Sequence, residues 1–195
     1  MSRPVPIAMH VLFLENEDSF SWNVVDRLPV GREAVTIASG RTVARAPERL
    51  RACDAVVVGP GPTDPVRAGL VELVRFAAAE QKPLLGICLG HQAIGLAFGA
   101  RLVRSTPCHG KTARADFQPS RFFAAFRGPH TVMRYHSLSL AEVVAPLHIV
   151  AATEDGIPMA IEHATLPIAG LQFHPDSYAT PEGERMLASF FEALS

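Results

Sequence analysis

Apolar residues fall into two kinds of segment: short unbroken runs, and longer stretches in which they recur at helical spacing. The first kind suits strands buried on both faces and the second suits amphipathic helices. Their alternation is the rhythm of βαβ units around a mainly parallel sheet. "HVLFL" (10–14) predicts a first strand. Asp18 or Ser19 then caps a helix in which Phe20, Val24, Val25 and Leu28 share a face until Pro29 stops it. "EAVTI" (33–37) and "DAVVVG" (54–59) read as further strands, the second closed by the turn-forming "GPGP". Pro65 opens a helix over "VRAGLVELVRFAAAEQ", and "PLLGI" (83–87) is a strand with a helix starting near Cys88. Beyond residue 100 the apolar segments shorten. "TEDG" before "IPMAIEH" predicts a hairpin added to the sheet, "PIAGLQF" (167–173) a late strand, and "PEGERMLASFFEAL" (181–194) a closing helix with Met186, Leu187, Phe190 and Phe191 inward.

The expected class is therefore α/β: an open, mostly parallel central sheet flanked by helices, with an added antiparallel segment. A length of 195 residues without repeats, linkers or low-complexity tracts fits a single domain over 1–195, with residues 1–9 as a loose N-terminal extension.

Composition narrows the partners. With 48% hydrophobic and 19% charged residues the chain reads as a soluble globular protein. Lys and Arg (18) nearly cancel Asp and Glu (19) with no basic run, which argues against nucleic acid. Residues 84–100 are too interrupted by glycines, His91 and Gln92 to span a membrane. The N-terminus has no signal-peptide core, because Pro4, Pro6 and His10 break it, so a cytoplasmic location is expected. Cys53, Cys88 and Cys108 form no CxxC pair, which fits a reducing compartment and predicts no metal site.

Candidate chemistry centres on "GICLG" (86–90), a Gly-x-nucleophile-x-Gly stretch between a predicted strand and a predicted helix. A sharp turn there needs glycine on both sides of Cys88, and the helix N-terminus beside the sulfur favours a thiolate. An isolated cysteine is more often an inert core residue, but the double glycine frame shifts the balance towards a nucleophile. "QFHPDSY" (172–178) supplies a base and an orienting group, since in extended chain His174 and Asp176 point the same way. The strand-end "GPGP" is by itself an exposed turn. As part of a site, Gly61 aims its N–H at a developing oxyanion together with the N–H of Leu89.

These motifs are carried by segments that span almost the whole chain: "FLENEDSFSWNVVDRL", "GPGPTDP", "LLGICLGHQAIGLAFGARLVR", "CHGKT", "RYHSL", "TEDG" and "LQFHPDS". In them the chain resembles the class I, triad-type glutamine amidotransferases, closely the small subunits of anthranilate synthase and aminodeoxychorismate synthase. The resemblance implies that Cys88 attacks the side-chain amide of L-glutamine, with His174 and Asp176 completing the triad. It implies Gly61 and Leu89 as the oxyanion hole, and Gly61, Pro62, Thr63, Gln92, Ser137 and Leu138 around the glutamine. It further implies His109, Gly110 and Lys111 as partner-sensing residues, and ammonia transfer to a larger chorismate-binding synthase subunit. Mg²⁺ is expected only on that partner, and no cofactor in this chain. The sequence departs from the family in Asp176, where Glu is usual, in Thr63, where Gly is common, and in Glu15 at the opening motif. A stand-alone γ-glutamyl amide hydrolase and a catalytically silent binding subunit are the other readings.

Overall fold

A computed structural model describes residues 7–194. One nine-stranded sheet runs through them in the order β2-β1-β3-β4-β9-β8-β7-β5-β6. The strands β1 (Val11–Glu15), β2 (Val35–Ser39), β3 (Ala55–Val58), β4 (Leu84–Ile87) and β9 (Ile168–Leu171) pair in parallel. Then β8 (Pro158–His163), β7 (Leu147–Ala152), β5 (Arg101–Phe117) and β6 (Gly128–Ala141) continue it antiparallel. The helices are α1 (Ser21–Asp26), α2 (Gly40–Ala44), α3 (Leu70–Ala79), α4 (Leu89–Ala97) and α5 (Gly183–Glu192).

The unbroken apolar runs are explained by burial on both faces. Along β1, Val11 and Phe13 enter one core with Val57, Ile87, Phe122 and Phe190, while Leu12 and Leu14 enter the other with Val58, Leu73, Leu84 and Ile94. Each fully buried aliphatic or aromatic side chain of this kind contributes about 1.5–3 kcal/mol, so the parallel half is the rigid part on which a site can be mounted.

The α/β class holds, and "TEDG" does turn β7 into β8, with Thr153 N–H donating to Ile157 O at 3.0 Å. Three local expectations are corrected. The first helix begins only at Ser21, because Asp18 Oδ1 accepts from Phe20 N–H at 2.8 Å in a turn before it. This leaves Phe20 half-buried outside the core face that Val24, Val25 and Leu28 share. The helix expected from Pro65 starts at Leu70, since Gly69 sits at φ +74° and interrupts helical backbone. The antiparallel part is also larger than a short addition: β5 and β6 form a long ribbon, largely exposed along β5, with register shifts at Arg104/Cys108 and His109/Lys111. Of the expected loose extension, Ile7 bridges to Val30 and donates its N–H to Pro29 O at 2.8 Å, while residues 1–6 lie outside the described residues.

Candidate active site

The strand order reverses between β1 and β3, and the carboxyl ends of β1, β3, β4 and β9 face one side, the usual place for a site in an open α/β sheet. Asn16 joins the two strand ends there, its Nδ2 donating to Leu14 O and Gly59 O at 3.1 and 3.0 Å.

Cys88 stands at the head of α4 with φ +51° and ψ −96°, a conformation that costs a non-glycine residue about 1–3 kcal/mol. Its neighbours make the turn feasible. A Cβ on Gly86 would lie 2.4 Å from the carbonyl carbon of Gly90, and one on Gly90 would lie 2.3 Å from Val58 O. The Cys88 N–H donates to Leu171 O at 2.8 Å, and its carbonyl accepts from Gln92 N–H at 3.1 Å, so both neighbouring elements hold it.

His174 follows β9. Its N–H donates to Met133 O at 2.9 Å and its carbonyl accepts from Thr180 Oγ1 at 2.8 Å, which anchors the loop. Nδ1 lies 3.5 Å from Asp176 Oδ1, within ion-pair reach but longer than a normal hydrogen bond, as the shorter side chain suggests. Both residues are buried. Burial alone would push the His174 ring below its ordinary range. The polar contacts and charges of Asp176 and Cys88 outweigh it and raise the pKa to about 10. The imidazolium is thus the favoured form beside the sulfur.

A cavity of about 360 Å³ joins these groups. Its lining includes Cys88, His174, Gly61, Pro62, Thr63 and Gln92, with Ser137 and Leu138 of β6 opposite. Gly61 is wedged in: a Cβ there would sit 2.6 Å from Asn16 O and 2.8 Å from Leu89 Cδ2. Thr63 is not among the residues with positive φ, so the loop accepts it without that strain. The Leu89 side chain is buried in the core, outside the cavity lining. As the first residue of α4, Leu89 has an N–H with no acceptor inside the helix. Of the three proposed partner-sensing residues, His109 lines the cavity, whereas Gly110 and Lys111 are exposed beyond it.

Several residues at or behind the wall lie inside the quoted motifs but carry no site role in the sequence reading. Phe20 and Tyr135 stack with centroids 5.3 Å apart and place their rings 5.8 and 5.1 Å from that of His174. His136 also lines the cavity, and its pKa falls to about 4 because it is buried and faces the Arg134 charge. Gln172 is fully buried behind Cys88. Their motifs "RYHSL" and "LQFHP" were the available signal. Trp22 is 56% exposed under the Arg32 guanidinium. Cys53, Cys88 and Cys108 are all free thiols. Among the described residues no His, Cys, Asp or Glu group is arranged to hold a metal ion, and no helix is long and apolar enough to cross a membrane.

Residues 12–194 match the family described as glutamine amidotransferase class-I, and the chain belongs to that family. Anthranilate synthase component 2 of Azospirillum brasilense is 38% identical over 185 residues, covering 92% of this chain and 94% of that protein. Aminodeoxychorismate synthase of Streptomyces griseus is 41% identical over 186 residues, covering 93% of this chain but 26% of that longer protein. The fold is shared with a solved structure from Thermoplasma acidophilum, described as a putative GMP synthase protein, with a TM-score of 0.81 at 21% identity, over 94% of this chain and 92% of that one.

Proposed function

We propose that this chain hydrolyses L-glutamine and passes the ammonia to a larger chorismate-binding synthase subunit, the role of an anthranilate synthase component II. The observation that carries the reading is Cys88, held at φ +51° at a helix head in one cavity with His174 and Gln92.

The Cys88 thiolate adds to the carboxamide carbon of glutamine, and the carbonyl oxygen becomes an oxyanion held by the N–H groups of Gly61 and Leu89. The imidazolium of His174 gives its proton to the departing nitrogen as the C–N bond breaks, releasing ammonia and leaving a glutamyl thioester. Neutral His174 then removes a proton from water, whose oxygen attacks the thioester. Glutamate leaves as the Cys88 thiolate is expelled, and His174 keeps the proton taken from water, which restores the thiolate–imidazolium pair. Asp176, through Nδ1, keeps Nε2 turned to the sulfur. Gln92 sits four residues after Cys88, one helical turn on, and so faces the same substrate.

The chain matches component 2 proteins over nearly their full length and aminodeoxychorismate synthases over one segment, so the same role in aminodeoxychorismate formation is the alternative. Reconstitution with each candidate large subunit, supplied with glutamine, chorismate and Mg²⁺, is the test. Anthranilate formation dependent on both chains is expected. Glutamate release that never couples to a synthase would indicate a lone hydrolase, and no release under any condition a silent subunit.

The Asp176 carboxylate is expected to suffice as the orienting group, because reach and charge matter more than one methylene. Asp176→Glu should keep glutaminase turnover within about tenfold, and Asp176→Ala should lower it about 10³-fold. A hundredfold gain in Asp176→Glu would show that the 3.5 Å separation handicaps the enzyme.

A further inference from the structure

Gln172 has no role in the triad, the oxyanion hole or the substrate contacts, yet it is fully buried and touches the sulfur. Its Nε2 lies 3.7 Å from Cys88 Sγ, and its Oε1 lies 3.3 Å from Gln92 Nε2. We infer that Gln172 is a positioning residue of this reaction, donating an N–H to the Cys88 sulfur and locking the Gln92 amide so that its oxygen serves the substrate. The inference rests on the glutamine-hydrolysing reading above.

The direction of every hydrogen bond in this cluster follows from groups that can act in only one way. The Leu138 carbonyl can only accept. It takes the Gln92 Nε2–H at 3.1 Å, so that end of the Gln92 amide is its NH₂. The second hydrogen of that NH₂ goes to Gln172, which must present Oε1 there and hence NH₂ to the sulfur. The other lone pair of Leu138 O takes His136 Nδ1–H at 2.9 Å. That tautomer is fixed in turn, because the buried Arg134, which can only donate, gives its Nε–H to His136 Nε2 at 3.0 Å. A one-way chain therefore runs from β6 to the nucleophile. Both hydrogens of the Gln92 amide are used within it, which leaves Oε1 as the group Gln92 can offer glutamine, suited to a donor such as an α-ammonium.

A donor beside the sulfur favours the thiolate, since hydrogen bonds to charged groups are the stronger ones. The titratable groups around it are His174, backed by Asp176, and Asp18, His109, Tyr135 and His136 on the cavity wall.

The test is the rate of Cys88 alkylation by iodoacetamide against pH, followed by mass spectrometry on the full chain, beside glutaminase kinetics. Gln172→Met keeps the volume and removes the donor. Its alkylation profile should move up by about one to two pH units, with kcat lowered about 10–100-fold and a smaller rise in KM. A residue that only packed would leave the profile in place, and an unchanged profile in a folded Gln172→Met chain overturns the assignment. Should that variant not fold, Gln172→Leu, which also lacks the donor, takes its place. Its alkylation profile should move in the same direction, and an unchanged profile would equally overturn the assignment. Alkylation needs neither glutamine turnover nor a partner, so a chain that fails as a glutaminase still reports on Gln172.

Discussion

Glutamine hydrolysis is expected to fall by about 10⁴-fold or more in both Cys88→Ala and Cys88→Gly, because no other group can form the glutamyl intermediate. The pair also tests where the strain lies. In ordinary backbone Gly is less stable than Ala by about 0.5–1 kcal/mol, for it loses more chain entropy on folding. At φ +51° the order inverts, since a Cβ is what makes this conformation costly. Cys88→Gly should therefore be the more stable of the two by about 1 kcal/mol in urea unfolding. If Cys88→Ala proved the more stable, the turn would be unstrained and the elbow would lose its physical basis. Retained glutaminase in either variant would move the nucleophile elsewhere.

Gly90→Ala is expected to lower activity strongly, though less than loss of the sulfur does, without touching a reacting atom. The added methyl would sit 2.3 Å from Val58 O and 2.9 Å from Val58 Cβ, and the carbonyl belongs to a central strand that cannot yield. The head of α4 must back away, taking with it the Leu89 N–H and the Cys88 sulfur. Overpacking against fixed backbone costs about 3 kcal/mol, and a shift near 1 Å at the nucleophile costs about 10²-fold in rate. Thermal unfolding and glutaminase turnover read both effects. Gly95→Ala is the control: the atoms nearest its methyl would be those of the flexible Leu140 side chain, from 2.3 Å, on the far turn of the helix. It should lose stability while keeping far more activity. Equal activity in Gly90→Ala and the parent would show that the close approach is not what holds the site.

The parts of this site that the sequence announced are those set by local geometry. Glycines at 86 and 90 around a cysteine, between a strand and a helix, admit few other conformations than the sharp turn observed. His174 and Asp176 lie two residues apart, so one loop delivers both. The doubly buried strands were legible because every position along them is apolar. Phe20 was misread for a related reason: it fits the helical spacing of Val24 and Leu28, but the helix begins one residue after it, and the side chain turns to His174 instead. The β5–β6 ribbon was legible only in pieces, since its exposed positions carry little periodic signal and bulges shift its phase.

The sequence by itself determined the α/β class, the sharp turn at Cys88 and the His–Asp loop, because each is encoded by the period or spacing of neighbouring residues. Only the tertiary structure decided that Gln172 meets Cys88, that Phe20 and Tyr135 wall in His174, and that Leu138 anchors Gln92. Those contacts join residues far apart in the chain. They depend on β4 pairing with β9 so that Ile87 lies beside Leu171, and on β6 passing over the strand ends, and no local pattern fixes either.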